Sequence, residues 1–461
     1  MKLSAYMDEL VTQFTDSRVV RNATNMVQKI VEHQTLRLWT ISETKAEYER
    51  GKRLLDGSLK SVLDDEQIAQ VLREKGTKGL GSEPRLFVLH DPCDIRKEYA
   101  TAMEKIGTVR SLDGALINGY QTFNTVAVDE LGRKLYPLDI TVYSNGDEHY
   151  ITEKERKAFA KGKLAQSDAV SDQQRAEEIE QFLAERSDLS LARISQQQLT
   201  RVSQAFKKQN PEMVLCHVLD RQFDGVNYFE FIDQELEDEF VIRAKVSRNS
   251  EKVQDDPERE KPAWLKLKTV KFAHRHQTIL SKVRLKKKVY QQAKCIIEWD
   301  TLTLDDHSYS VVRITLLDRK GNPIFKNPML LISNISVNNA VQAQAIYQTY
   351  LLRAKIEAVF KFLKDALGWE EFQLRDYESI KNIIALGFFI GGYFYEIEHS
   401  LVDNPTVQLI AQLGGSKKGK VTRHFFLLGL KQLLSFQAVQ RFIHQPQIDD
   451  DTLSDIFAFL S

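Results

Sequence analysis

From Met1 to about Gly79, apolar positions recur at helical spacing, as in VVRNATNMVQKIVEHQTLRLW and DDEQIAQVLREKG, and no strand-like alternation occurs. Strands are first predicted at RLFVLH, an apolar run that stops on Asp91. GALINGYQTFNTVAVDELGRKLYPLDITVYS then reads as two long strands joined at a turn from Asp129 to Gly132. Polar helical sequence runs from about Ile151 to Gln209, with an acidic, Ser/Gln-rich patch around Ser171 to Ser190. EMVLCHVLDRQFDG is a buried-type strand ending on Asp220, followed by the helix YFEFIDQELEDE and the strand FVIRAKV. From about Ser247 to Asn327 the character changes to short strands at KLKTVKF, CIIEWDTLTL and YSVVRITLLD, an all-β insertion. MLLIS at Met329 returns to a buried strand, a helix starts near Asn338, and everything after about Trp369 is helical. The pattern predicts a helical N-terminal region (1–80), an α/β core (81–372) interrupted by a β-rich insertion (247–328), and a helical C-terminal region (373–461).

Composition narrows this only a little. With 461 residues and 42% hydrophobic content, the chain is globular and fits about two to four structural units. Sixty-four basic residues balance sixty-four acidic ones, so any nucleic-acid contact must come from local islands of charge. Cys93, Cys216 and Cys295 are scattered, giving neither a disulfide framework nor a zinc site, as expected of a reducing cytoplasm. The N-terminus carries acidic residues where a signal peptide needs an apolar core. The longest apolar run, IIALGFFIGGYFY from Ile383, is too short to span a bilayer and is expected to be a buried helix.

The chemistry concentrates in one stretch, YLLRAKIEAVFKFLK, from Tyr350 to Lys364. On a helix, Tyr350, Arg353, Glu357 and Lys364 would fall within about 60° of one another, forming a polar stripe roughly 20 Å long opposite Leu352, Ile356, Val359 and Leu363. A solvated face with an Arg353/Glu357 pair is the plain alternative. Asp91 and Asp220, each at the end of an apolar strand, supply possible partners for Glu357. Three carboxylates packed together repel unless cations neutralise them, and hard oxygen ligands suit Mg²⁺ or Mn²⁺. Two such ions about 3.5–4 Å apart serve phosphoryl transfer. The element order is also that of an RNase H-like mixed sheet, with one Asp on the first strand, another on the fourth and the Glu on a later helix.

These residues carry a resemblance. Tyr350-x2-Arg353-x3-Glu357-x6-Lys364 is similar to the Tyr-Arg-Glu-Lys signature of bacterial cut-and-paste DDE transposases of the insertion-sequence-four family. Asp220-Arg221-x-x-Asp224 resembles the element around that family's second catalytic aspartate, and the long gap from Asp220 to Glu357 is filled there, as here, by a β-rich insertion. The resemblance implies that Asp91, Asp220 and Glu357 are the catalytic carboxylates and hold two Mg²⁺ ions, with Mn²⁺ able to substitute. It implies that Tyr350, Arg353 and Lys364, with Arg221 beside Asp220, contact DNA. It further implies binding of inverted-repeat ends by residues 1–80, a homodimer on paired ends held through residues 373–461, hairpin-ended intermediates, strand transfer into target DNA, and a nucleoid-associated protein in a bacterial cytoplasm. One departure stands out: the family often has a tryptophan where Met329 stands, and Phe325 or Trp299 would have to replace it. A catalytically silent DNA-binding inhibitor and a stand-alone RNase H-like nuclease are the rival expectations.

Weaker signals remain. The basic run SKVRLKKKVYQQAK (from Ser281) suits phosphates or plain solvent equally, and SKKGKVTR (from Ser416), after Gly414 and Gly415, would suit a phosphate-contacting loop but fits plain solvent somewhat better. His90 and Cys216 are expected to be packing residues, and Asp94 and Asp224 to lie near the carboxylates or at the surface.

Overall fold

The computed structural model describes residues 3–12, 14–56, 63–152, 189–254, 263–285, 288–304, 307–417 and 420–443, with scattered positions between 155 and 181. The acidic patch expected around Ser171 to Ser190 lies almost wholly outside the described residues. Contacts divide the chain into two compact units. The first comprises Met1–Val71, Asp94–Tyr120 and Val359–Ser461; the second comprises Leu72–Cys93 and Gln121–Ala358.

The first unit is mostly helical. Its N-terminal helices are Leu3–Val11, Ser17–His33, Leu38–Ile41 and Lys45–Arg53, and short polar side chains cap the second and fourth: Asp16 accepts from Arg18 N–H and Thr44 from Glu47 N–H. Around them lie the C-terminal helices Tyr377–Ser400, Pro405–Leu413 and Arg423–Ile443. Helix Tyr377–Ser400 contains the long apolar run, and Ile383, Phe388, Phe389, Ile390 and Phe394 are fully buried, as expected. The expectation of a segment too short to span a bilayer does not hold for the whole helix: at 24 residues it is, among the described residues, the one helix long and apolar enough to cross a membrane, and 89% of that window is buried inside the fold. The Tyr6 hydroxyl donates to Phe389 O (3.1 Å), so the two ends of the chain share this core. A short strand, β2 (Gly107–Arg110), pairs antiparallel with Leu116–Gly119 in the same unit.

The second unit is built on a mixed sheet. Its strands are β1 (Arg85–Arg96), β3 (Leu116–Asp129), β4 (Leu135–Tyr143), β5 (Val214–Leu219), β6 (Glu239–Arg243), β9 (His274–Leu285), β10 (Lys288–Leu304), β11 (His307–Leu317) and β12 (Met329–Ser333). The order across the sheet is β4, β3, β1, β5, β6, β12, β11, β10, β9. β1, β5 and β6 run parallel, with Phe87 opposite Cys216 and Leu219 opposite Ile242, whereas β12, β11, β10 and β9 continue antiparallel. Continuous burial from Leu86 to Asp91 follows from helices covering both faces. Helix Leu191–Gln209 packs Val202 and Phe206 on Leu86, Val88, Leu138 and Leu215. Gly132 takes a left-handed φ of +63° at the β3–β4 turn, as the sequence predicted for that turn. This is the expected α/β, RNase H-like mixed sheet.

The insertion is all-β, with a separate pair β7 (Asn249–Gln254) and β8 (Ala263–Lys266), but two expectations fail there. KLKTVKF is not a strand beyond Lys266. It turns through a 3₁₀ segment, Leu267–Thr269, because Leu267 and Val270 are both pulled into the core, a spacing of three rather than two. The strands expected to be short are long, 17 residues in β10 and 11 in β11, because they pair with each other along almost their whole length. The basic run from Ser281 spans the β9–β10 hairpin, with residues 286–287 outside the described set.

Candidate catalytic site

Asp91 was expected at the end of a strand, but β1 runs on to Arg96. Past Asp91 the burial alternates, with Cys93 and Ile95 inside and Pro92 and Asp94 half-buried, so a period-two pattern replaces the apolar run without ending the strand. Asp220 does follow the last residue of β5, where a 3₁₀ turn, Arg221–Phe223, begins. Glu357 lies in the first turn of helix Ala354–Leu367.

The expected single helix through Tyr350 to Lys364 does not exist. Helix Ala340–Leu351, capped by Asn339, stops at Leu351, and Ala354 starts a new helix. Between them the backbone closes three-residue rather than four-residue bonds: Leu352 N–H to Thr349 O, Arg353 N–H to Tyr350 O, and Ile356 N–H to Arg353 O, each at 3.1 Å. The one-stripe geometry therefore fails, and Arg353 projects from the junction itself.

That junction faces the carboxylates. Arg353 Nη2 donates to Asp91 Oδ1 at 2.7 Å and lies 4.0 Å from Asp220 Oδ2, while Nη1 donates to Glu357 Oε1 at 2.6 Å. Three acidic groups from β1, β5 and the helix thus meet one guanidinium. The Tyr350 hydroxyl donates to Asp220 Oδ1 at 3.1 Å and is also bonded to Arg243, at the end of β6. Sequence reasoning missed Arg243; only its place at a strand end beside β5 could have signalled it. Burial, with Asp220 adding to it, pushes the Tyr350 phenol up to about 12, which keeps it a proton donor. Burial likewise pushes Asp91 up to about 6, although Arg353 pulls the other way. Burial also opposes the charge on Arg353, but Asp91, Tyr350 and Asp220 together outweigh it and hold the guanidinium firmly protonated.

Other expected residues are placed as follows. Arg221 is exposed on its 3₁₀ turn. Lys364 belongs to the first unit, where its Nζ donates to Asp94 O at 2.6 Å and pairs with Glu370 at 3.0 Å. Asp94, half-buried in the same unit, accepts from Arg110 N–H (3.1 Å). Asp224 is buried and accepts from Lys245 N–H (2.7 Å) and Arg248, holding the chain that follows β6. Cys216 is fully buried, and desolvation pushes its thiol up to about 12, an inert packing role as expected. Trp299 is buried and stacked on His274, whereas Phe325 is 39% exposed and lines, with Met329, Tyr347 and Arg243, a cavity of about 470 Å³.

Behind Asp91 lies a buried polar chain. His90 Nε2 and His217 Nδ1 are 2.8 Å apart, and His217 Nε2 is 3.0 Å from Asp238 Oδ2, which also accepts from Ser203 Oγ at 2.6 Å. Lys207 pairs with Asp238 at 2.8 Å. His90 Nδ1 is 2.8 Å from Thr125 Oγ1, which accepts from Gln198 Nε2 at 3.0 Å. A carboxylate only accepts, so for neutral imidazoles the chain has one consistent direction: His217 Nε2–H to Asp238, His90 Nε2–H to His217, and the Thr125 hydroxyl to His90. Burial, then the neighbouring His217, holds His90 well below its ordinary pKa.

Residues 211–390 match the family model of the Transposase DDE domain. The match takes in Asp220, Tyr350, Arg353, Glu357 and Lys364 but not Asp91, which stands on geometry alone. Compared with curated proteins, the chain matches none. The domain supports a transposase, an enzyme that cleaves DNA and transfers its strands; domains of this kind work with divalent metal ions. The carboxylates offer the hard oxygens such ions take. Among the described residues, however, no three acidic, His or Cys side chains converge closely enough to hold an ion, and a guanidinium stands between the candidates.

Proposed function

We propose that this protein is a cut-and-paste DNA transposase, with Asp91, Asp220 and Glu357 as its catalytic carboxylates. The observation that carries this reading is their meeting at Arg353, from a strand, a strand end and a helix of an RNase H-like fold, in a chain whose residues 211–390 match the Transposase DDE domain. On this reading residues 1–80 bind inverted-repeat ends, residues 81–372 act on them, and residues 373–461 hold a homodimer on paired ends. The protein works in the bacterial cytoplasm at the nucleoid.

Each residue has a share. Tyr350 and Arg243 orient Asp220 from one side, and Arg353, Lys364 and Arg221 offer cationic contacts to DNA phosphates. Mg²⁺ as a pair of ions, or Mn²⁺ in its place, supplies activation of oxygen nucleophiles and stabilisation of departing oxygens when bound. For hairpin ends with a base turned out of the helix, Phe325, exposed at a cavity that Met329 also lines, suits stacking better than the buried Trp299.

The test is cleavage of labelled DNA carrying the element's own ends, with and without Mg²⁺, resolved on a denaturing gel. Metal-dependent nicking by wild type and its loss in Asp220→Asn supports the reading, and a covalently closed product adds the hairpin step. Glu357→Ala is expected to keep end binding and lose cleavage by at least about a thousandfold. Binding without cleavage in any metal would assign the protein to inhibitory DNA binders, and cutting without joining to stand-alone nucleases.

A further inference from the structure

We propose that Arg353 is a built-in counter-ion that competes with divalent cations for Asp91, Asp220 and Glu357, so that loading the site drives its guanidinium off the carboxylates. The inference rests on the reading of those three residues as a cation site.

The contacts are mutually exclusive. Asp91 Oδ1 and Glu357 Oε1 are engaged by Arg353 at 2.7 and 2.6 Å. A Mg²⁺ or Mn²⁺ ion shared by the same carboxylates would draw their oxygens to about 2.0–2.2 Å, inside the space the guanidinium fills. It would also stand beside a group of like charge. The arginine is what keeps the three acids bonded to one cation while too far apart to form an ion's own cage.

The pose also has an escape built into it. Arg353 Nε is buried and has no acceptor, so one donor of the fork is left unsatisfied where it stands. Its Cα sits at the break between helices Ala340–Leu351 and Ala354–Leu367, where the tighter three-residue bonds replace regular helix. Its i+4 neighbour is Glu357, itself one of the three acids, so a cation that takes up Glu357 also removes that hold on the side chain. A phosphate oxygen would give the displaced fork acceptors for all its donors, bidentately. Cation loading and phosphate capture then reinforce one another, because each favours the same displaced arginine, and the coupling is reciprocal. A polynucleotide phosphate would raise cation affinity by the same factor by which the cation raises affinity for DNA.

The experiment is Mn²⁺ titration of the full-length, DNA-free protein, with unbound Mn²⁺ read by electron paramagnetic resonance. Arg353→Gln is expected to bind Mn²⁺ at least tenfold more tightly than wild type, and Asp220→Asn more weakly. Equal affinity in wild type and Arg353→Gln, with Asp220→Asn weakened, would overturn the counter-ion role while leaving the cation site intact. Mn²⁺ binding that Asp220→Asn does not change, or no binding at all, would remove the cation site and the inference with it. Wild type alone gives a second readout that needs no variant to fold: phenylglyoxal labelling of Arg353, mapped by peptide mass, should rise severalfold on adding Mn²⁺. Unchanged labelling would overturn the proposal.

Discussion

Asp91 and His90 are adjacent in sequence and point to opposite faces of β1, one into the carboxylate cluster and one into the histidine chain. His90 therefore couples the strand that carries Asp91 to helix Leu191–Gln209 through His217, Asp238 and Ser203. Its titration has a definite sign. Because burial depresses its folded-state pKa, the unfolded chain binds the proton more readily, so stability is full above about pH 6.5 and is lost as pH falls below it. Asp91, raised to about 6, works the other way over the same range, so the His90 share is a difference: between pH 7.5 and pH 5.5 the urea midpoint should fall further, or rise less, in wild type than in His90→Gln. A wild type that responds to acid no differently from His90→Gln would mean that burial leaves the His90 pKa where it stands in the unfolded chain. None of this chain was legible beforehand, since no spacing in the sequence links residues 90, 217 and 238. The aspartates and the Arg353–Glu357 pair were legible, because an acidic residue closing an apolar run, and an i,i+4 pair, both show in one dimension.

At the scale of elements, the sequence marked most strands and helices but misjudged continuity. The apolar spacing of Leu352, Ile356, Val359 and Leu363 is helical on both sides of the break, so a two-residue junction leaves no trace in periodicity. Helix Pro405–Leu413 and helix Arg423–Ile443 show what a break with a signal looks like. Gly414 ends the first, and a Cβ there would come within 1.9 Å of Phe425 O. Gly429, inside the second, leaves room for Ile410 O, which an added Cβ would approach to 1.8 Å. The two backbones touch at these glycines. Gly429→Ala should accordingly cost about 1–3 kcal/mol despite alanine's better helix propensity, read as a lowered denaturation midpoint. A stabilised variant would show that the two helices separate easily.

At the scale of the molecule, the division into two compact units predicts two unfolding transitions rather than one. Asp91, Asp220 and Glu357 all belong to the second unit, so Mn²⁺ should raise the midpoint of one transition and leave the other in place. Calorimetry with and without Mn²⁺ checks this, and a single transition shifted as a whole would contradict it.

The parallel pairing of β1 with β5 has a consequence in time. Leu89 must wait for Val218, and Asp91 for Arg353, before either finds its partner. A chain emerging from the ribosome from its N-terminus holds Asp91 first, then Asp220, and gains Glu357 last of the three. No fragment released before that point carries all three acids. Interrupted synthesis therefore leaves products that lack the full set of candidate cutting groups.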